Sequence, residues 1–380
     1  MRALFARLFD SKRPARQDAA MQPVAEFLAK VMPPITPALV VRRAAMDANL
    51  AAMQAACAAR GVRLRPHGKM HKCSTLGRLQ VETGAVGLCC QTVGEAEAFV
   101  AGGIDDVLVT APVPAWGWPR LAALARAAQV WAVIDSEAQA TAASAAAQAA
   151  GVVLQAFVDV DPGMARAGVA PAAAPALARL LTRLPGLTYA GIQAYCGHHQ
   201  HLLPKERVAA HADWSGRLAA LVDDLRADGL APAQVTGGGT GTAAMDLAAG
   251  LYTELQAGSY AVMDVEYGDL GDLPFQPALF LAASVVSARH ATHVTCDAGH
   301  KALHPNGPVS RVMVPAGSEY RPMGDEHGAI IPPGGAREGD LVWLQPGHVD
   351  PTIALHDALF VADEDGRLER WPIDARRVTA

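Results

Sequence analysis

Between about residues 60 and 260 the chain alternates short apolar runs with Ala- and Leu-rich stretches whose apolar positions recur at helical spacing. The runs fall at 62–66, 85–90, 107–111, 130–135, 152–159, 189–196, 234–237 and 253–258. A continuous apolar run followed by a helix, repeated, marks a parallel sheet whose strands are covered on both faces. Eight such units in roughly 200 residues predict an α/β fold with a (β/α)8 TIM barrel, because doubly wound sheets usually need fewer strands. After residue 264 the pattern changes to short strands at 284–287, 293–296, 312–315 and 341–344 punctuated by Pro and Gly, which predicts a mainly antiparallel β domain. Before the barrel, residues 1–35 read as an Arg-, Ala- and Pro-rich extension, closed by Pro33-Pro34 and Thr36-Pro37. The expected division is therefore an extension at 1–35, a strand and helix leading into the barrel at 36–60, the barrel at 61–263 and a C-terminal β domain at 264–380.

Composition narrows the partners. With 51% hydrophobic residues, 18% charged and a net charge of -5, the chain can bury a large core and presents no field that favours nucleic acid or a membrane. A small-molecule partner is expected. The 6 cysteines are scattered without a C-x-x-C, so reduced thiols and a cytoplasmic location are expected. Arg2, Arg7 and Asp10 interrupt the N-terminal apolar residues, which leaves no signal-peptide core there. The uncharged stretch 138–158 is long enough for a bilayer, but its Ala content and Gln139, Ser144, Gln148, Gly151 and Gln155 read as a helix followed by a buried strand.

Lysine is scarce: only Lys12, Lys30, Lys69, Lys72, Lys205 and Lys301 are present. Chemistry that needs an amine therefore has few places to sit, and catalytic groups of a barrel sit where its strands end. The first run ends in Arg65-Pro66-His67-Gly68-Lys69-Met70-His71-Lys72. Neighbouring cations and burial both lower an ammonium pKa, the property a Schiff-base nucleophile needs, so Lys69 is the leading candidate amine. The seventh and eighth runs end in Gly237-Gly238-Gly239-Thr240 and Gly258-Ser259-Tyr260, where bare backbone amides and hydroxyls suit an anion, although a tight turn explains the glycines equally well. The sixth ends in Tyr195-Cys196-Gly197-His198-His199-Gln200-His201, whose imidazoles can serve as base, phosphate partner or metal ligand. In the β domain, His348-Val349-Asp350 reads as an extended segment with both side chains on one face, able to hold a divalent cation.

Taken in order, these motifs, with Gly94-Glu95-Ala96-Glu97 and Asp161-Pro162-Gly163-Met164-Ala165-Arg166, resemble the D-threonine aldolase and D-serine dehydratase family, pyridoxal-phosphate enzymes of fold type III with an alanine racemase-type barrel. The resemblance runs from about Thr36 to the C-terminus. It implies pyridoxal 5'-phosphate held covalently on Lys69, with His67 beside it, Arg166 facing the ring nitrogen and Tyr195 close by. It further implies phosphate contacts from Gly238, Gly239 and Thr240 and from Gly258, Ser259 and Tyr260. His348 and Asp350 match the family's metal pair. His-x-Asp is the harder set of the aldolase branch, which favours Mn or Mg over Zn. The catalytic base matches His201, with His199 and His198 as alternatives.

The implied reaction is retro-aldol cleavage of the Cα–Cβ bond of a β-hydroxy-D-amino acid, D-threonine or D-3-hydroxyaspartate, to glycine and acetaldehyde or glyoxylate. The rivals are a dehydratase acting on D-serine or 3-hydroxy-D-aspartate, a racemase, and a pyridoxal-phosphate carrier or regulator. The resemblance also implies a homodimer.

Overall fold

A computed structural model describes residues 15–376, so the expectation about a signal segment, which rests on residues 1–10, lies outside the described residues. Eight parallel strands form one sheet: Arg63–Leu64, Leu88–Cys90, Asp106–Val109, Gln129–Ile134, Leu154–Val160, Leu187–Ala194, Gln234–Gly237 and Glu254–Leu255. Each pairs with the next from Leu88–Cys90 onward, and the last pairs with the first. The ring closes where Val86 N–H donates to Leu64 O (2.9 Å) and Cys89 N–H donates to Pro66 O (2.8 Å). This is the expected α/β barrel.

The helix Glu137–Ala150 shows how the outer layer follows from sequence. Ser136 Oγ accepts from Gln139 N–H (3.3 Å) at its start, and Gly151 ends it in the left-handed region (φ 67°). Its buried positions Ala140, Ala143, Ser144 and Ala147 recur at helical spacing, and their small size lets the helix lie close against the sheet. With the following strand Leu154–Val160, it accounts for the uncharged stretch. No helix among the described residues is long and apolar enough to cross a membrane.

The second sheet has nine strands, in the order Glu319–Pro322, Gly328–Ile331, Val294–Cys296, Leu279–Ser287, Ala38–Arg42, Ala358–Ala362 and Leu368–Pro372, with Leu341–Gln345 also on Leu279–Ser287 and Arg311–Val314 beside it. All its ladders are antiparallel except that between Ala38–Arg42 and Ala358–Ala362. The strand ahead of the barrel thus sits in the middle of the β domain. Part of the extension is ordered as well: in and just after the helix Ala15–Leu28, the residues Val24, Phe27, Leu28 and Val31 pack on Val40, Phe280, Trp343 and Phe360. One continuous apolar cluster joins Leu64, Met70 and Leu255 of the barrel to Leu281, Val349 and Ile353 of the β domain. The two domains therefore meet over the strand ends.

Candidate active site

After Arg65 the first strand reaches Pro66, which has no N–H for the ladder, and the chain turns through a 3-10 turn at Gly68–Met70 that carries Lys69. A Cβ on Gly68 would lie 2.7 Å from the Phe99 ring, so glycine lets this turn press on the helix Val93–Ala101. Lys69 lines a cavity of about 190 Å³, together with His67, Arg166, Tyr195, Gly239, Thr240, Gly258, Ser259, His201, His348 and Asp350. Its Nζ stands 3.6 Å from Asp350 Oδ2.

The neighbouring basic residues divide by their partners. Lys72, in a left-handed backbone conformation (φ 50°), is ion-paired with Glu95, whose buried carboxylate also accepts from Gln91 N–H (2.6 Å). His71 accepts from Cys73 N–H at Nδ1 (3.0 Å) and donates from Nε2 to Gln80 Oε1 (3.2 Å); burial pushes its pKa down to about 4. Of the cations expected around Lys69, His71 and Lys72 are thus committed elsewhere, and the Gly94-Glu95 motif serves to neutralise Lys72. His67 stays at the cavity. The Thr110 hydroxyl donates its one proton to Cys90 O (3.0 Å), so it accepts from His67 Nε2–H (3.0 Å), while His67 Nδ1 accepts from Lys69 N–H (3.4 Å). The ring is neutral, and burial first, then the charge of Lys69 and those of Lys72 and Arg166, hold its pKa well below the usual range.

Beneath these groups the barrel is filled by a polar chain. Arg65 Nε donates to Glu254 Oε1 (3.0 Å), which also accepts from the Thr236 hydroxyl (3.0 Å). Gln256 Nε2 donates to Thr236 Oγ1 (3.0 Å) and Gln193 Oε1 (3.1 Å), and Gln193 Nε2 donates to Asp159 Oδ1 (2.9 Å) and Thr110 O (3.0 Å). Thr110, Gln193, Gln256, Gln91, Met70 and Tyr267 line the cavity without having been expected from sequence. For Thr110, Gln193, Gln256 and Gln91 the only sequence signal is a polar residue inside or beside an apolar run. Burial raises the Asp159 carboxyl to about 7 against the pull of the Gln193 hydrogen bond.

Arg166 is presented by a loop wound around Asp161, whose Oδ1 accepts from Gly163 N–H (2.9 Å), Met164 N–H (2.7 Å) and Ala165 N–H (3.2 Å). Its guanidinium lies 5.6 Å from the centre of the Tyr195 ring. Gln200, fully buried, ties the histidine loop to the glycine loop by accepting from Gly241 N–H (2.9 Å) and donating to Thr242 Oγ1 (2.9 Å). A Cβ on Gly239 would meet Gln200 Oε1 at 2.5 Å, which explains that glycine. Tyr260 N–H donates to Thr240 Oγ1 (3.1 Å), so the loops after strands seven and eight form one unit.

Three expected residues stand elsewhere. Gly238 (φ 68°) faces Asp246 instead of the cavity, because its left-handed turn aims its free side at that carboxylate. The Tyr260 ring is buried 5.6 Å from Phe275, leaving only its N–H on the loop. His199 is buried edge-on to His198 (4.1 Å) with its pKa lowered to about 4 by burial, and neither ring lines the cavity. His201 does: its Nδ1 lies 3.7 Å from Glu266 Oε1, its ring 4.6 Å from Tyr267, and burial outweighs Glu266 in lowering its pKa.

His348 and Asp350 converge on the cavity, but not on an extended segment. His348 (φ −136°, ψ 122°) is the N-cap of the helix Val349–Ile353, and Asp350 sits in its first turn. Pro351 is tolerated there because first-turn N–H groups have no partner within the helix. Asp350 Oδ1 is buried without a hydrogen-bond partner. A buried bare carboxylate oxygen beside an imidazole fits a divalent cation that keeps water or substrate in its other positions. Among the described residues, no group of three or more His, Cys, Asp and Glu is arranged for a metal, so these two would be the protein's share. A pyridoxal phosphate fits the same cavity: an amine, a permanent cation and glycines whose Cβ atoms would fill the loop space stand around it.

The pattern of the alanine racemase N-terminal domain matches residues 41–265, and that of the serine dehydratase domain matches residues 278–362. The chain is 42% identical over 353 residues to the D-threonine aldolase of Arthrobacter sp, covering 90% of this chain and 92% of the relative. It is 40% identical over 357 residues to the 3-hydroxy-D-aspartate aldolase of Paracoccus denitrificans (strain Pd 1222), with the same coverage. The crystal structure of D-threonine aldolase from Filomicrobium marinum matches with a TM-score of 0.88 at 35% identity, covering 91% of this chain and 97% of that one. The D-threo-3-hydroxyaspartate dehydratase of Delftia sp. (strain HT23) is more distant, 27% identical over 366 residues, covering 88% of this chain and 96% of the relative.

Proposed function

The chain belongs to the family of D-threonine and 3-hydroxy-D-aspartate aldolases with an alanine racemase-type barrel, and from that membership we propose that it cleaves a β-hydroxy-D-amino acid into glycine and an aldehyde. The observation that carries the reading is the convergence of Lys69, His201, His348 and Asp350 on one cavity. When bound, pyridoxal phosphate supplies a sink for the electrons of the breaking Cα–Cβ bond, and a divalent cation supplies a Lewis acid for the β-hydroxyl.

Lys69 would hold pyridoxal phosphate through its amine, with Gly239, Thr240, Gly258 and Ser259 around the phosphate. Arg166 donates hydrogen bonds and accepts none, which suits a ring nitrogen carrying a lone pair. Neutral His67 adds no second positive charge beside Lys69. His348 and Asp350 would hold the cation, and a carboxylate with an imidazole favours Mn or Mg, with Zn as the alternative. His201, neutral because burial lowers its pKa, accepts the hydroxyl proton on Nε2 while Nδ1–H faces Glu266. Tyr195 and Tyr267 flank this path with phenols that burial keeps protonated. The six buried free cysteines suit a reducing compartment, and the cytoplasm is part of the proposal. So is a homodimer, which light scattering of the purified protein tests.

Product analysis with D-threonine, D-3-hydroxyaspartate and D-serine, with added Mn or Mg and with chelator, decides the function. Glycine with acetaldehyde or glyoxylate is expected, and only when metal is present. A ketoacid and ammonia would make the chain a dehydratase instead.

A further inference from the structure

Asp264 is completely buried, is not among the residues that line the active-site cavity and takes no part in the chemistry above. It lies just beyond the last barrel strand, where Met263 adopts a left-handed backbone conformation (φ 57°) that a non-glycine residue rarely takes. Its two carboxylate oxygens cap two different helices. Oδ1 accepts from Tyr267 N–H (2.9 Å), closing the start of the helix Val265–Gly268. Oδ2 accepts from Val349 N–H (3.0 Å), at the start of the helix that carries Asp350 and directly after His348.

The same two segments are also joined by two backbone bonds. Val265 N–H donates to Pro346 O (3.0 Å) and Glu266 N–H donates to Gly347 O (3.2 Å). Each segment carries part of the site. Glu266, on the first, faces His201 Nδ1 (3.7 Å) through Oε1 and His348 Nδ1 (4.0 Å) through Oε2. His348 and Asp350, on the second, are the pair to which the proposed function gives the cation.

We propose that Asp264 is a positioning residue for the cation: one carboxylate, bridging two helix starts, fixes His348 and Asp350 relative to the base His201 and the amine Lys69. The inference rests on the proposed role of His348 and Asp350. No other residue type does the same work, because the task needs two acceptors on a short stem. Asn offers one acceptor and turns an NH2 against the remaining N–H. Ser and Thr reach one helix start and leave the other bare. Outer partners that orient ligands characteristically change metal affinity by about 10–100-fold when removed.

The test is Mn2+ titration of the pyridoxal-phosphate-loaded protein, read by the EPR signal of free Mn2+, for the parent, D264N and V349P. V349P removes the donor instead of the acceptor, at a first helical position where proline is accepted and after a residue already extended. Both variants are expected to bind Mn2+ about 10-fold or more weakly, to keep the parent's cofactor absorbance and content, and to recover turnover at high Mn2+. Parent-like Mn2+ affinity in either variant overturns the proposal. So does loss of cofactor and metal together with a lowered Tm, which marks a purely structural aspartate. A parent that binds no Mn2+, Mg2+ or Zn2+ overturns the cation role of His348 and Asp350, and this inference with it.

Discussion

Lys69, His67 and Arg166 stand on strand ends braced from below by the chain Arg65, Glu254, Thr236, Gln256, Gln193 and Asp159, whereas His348 and Asp350 stand on a five-residue helix. That helix and the segment before it meet the barrel's last segment through three hydrogen bonds, from Val265, Glu266 and Val349 N–H. In the cofactor half, loss of one side chain leaves its neighbours on strands that stay paired in the barrel. In the cation half, each bond is a large part of what sets the geometry. Among the described residues the two halves share an apolar cluster, and side chains approach across them at Glu266, at Asp264 and at the Lys69 to Asp350 pair. The arrangement implies that cofactor and cation can be lost separately.

The largest effect expected is that of K69A. Without the amine, activity falls by about 1,000-fold or more and the visible absorbance of the cofactor disappears after dialysis, while Mn2+ binding stays within a few-fold of the parent. Absorbance and EPR measured on one sample check both halves at once. If K69A abolishes Mn2+ binding too, the halves are one unit and the comparison fails. H348A is the converse variant: cofactor absorbance is retained, Mn2+ affinity collapses, and turnover falls by roughly 100- to 1,000-fold, the share of a Lewis acid worth several kcal/mol. Cofactor release from H348A would break the comparison from the other side.

The sequence exposed the two halves unequally, for a physical reason. Parallel strands buried on both faces are apolar runs, so all eight barrel strands, and the residues just past them, could be located from local pattern. Lys69, His67, Arg166, Tyr195 and His201 were legible because a strand end is a local feature. The role of Ala38–Arg42 was not, since its partners Leu279–Ser287 and Ala358–Ala362 lie hundreds of residues away and nothing local names them. His348-Val349-Asp350 was found as a pair but read as extended, because a period of two says nothing about a helix that starts between its members. Asp264 and Glu266 fell at the domain boundary, where residue type alone gives no hint that one caps two helices and the other faces two histidines. Gln193, Gln256 and Thr110 were hidden inside runs read as apolar strands.

The smallest effect separates the halves by pH. Asp159, at the top of the polar chain in the cofactor half, has its carboxyl raised by burial to about 7, well above an unfolded aspartate near 3.8. The folded state therefore binds the proton more tightly, so its contribution to stability is complete below pH ~4 and is lost as pH rises through about 7. D159N keeps the neutral form and an oxygen for the Gln193 donor at every pH. Asp264, raised to about 7 by burial as well, loses its stabilising contribution over the same range in both proteins. Thermal unfolding from pH 5 to pH 8 should therefore show the parent losing more stability than D159N by on the order of a few kcal/mol, and the gap between them should move in the variant's favour towards pH 8. Its Mn2+ affinity should not move, because no hydrogen bond of Asp159 reaches the helix Val349–Ile353. A parent curve parallel to the variant's would mean that Asp159 is ionised and held by Arg166. The polar chain would then end in an ion pair beside the cofactor, and the cofactor half would owe its rigidity to charge instead of neutral hydrogen bonds.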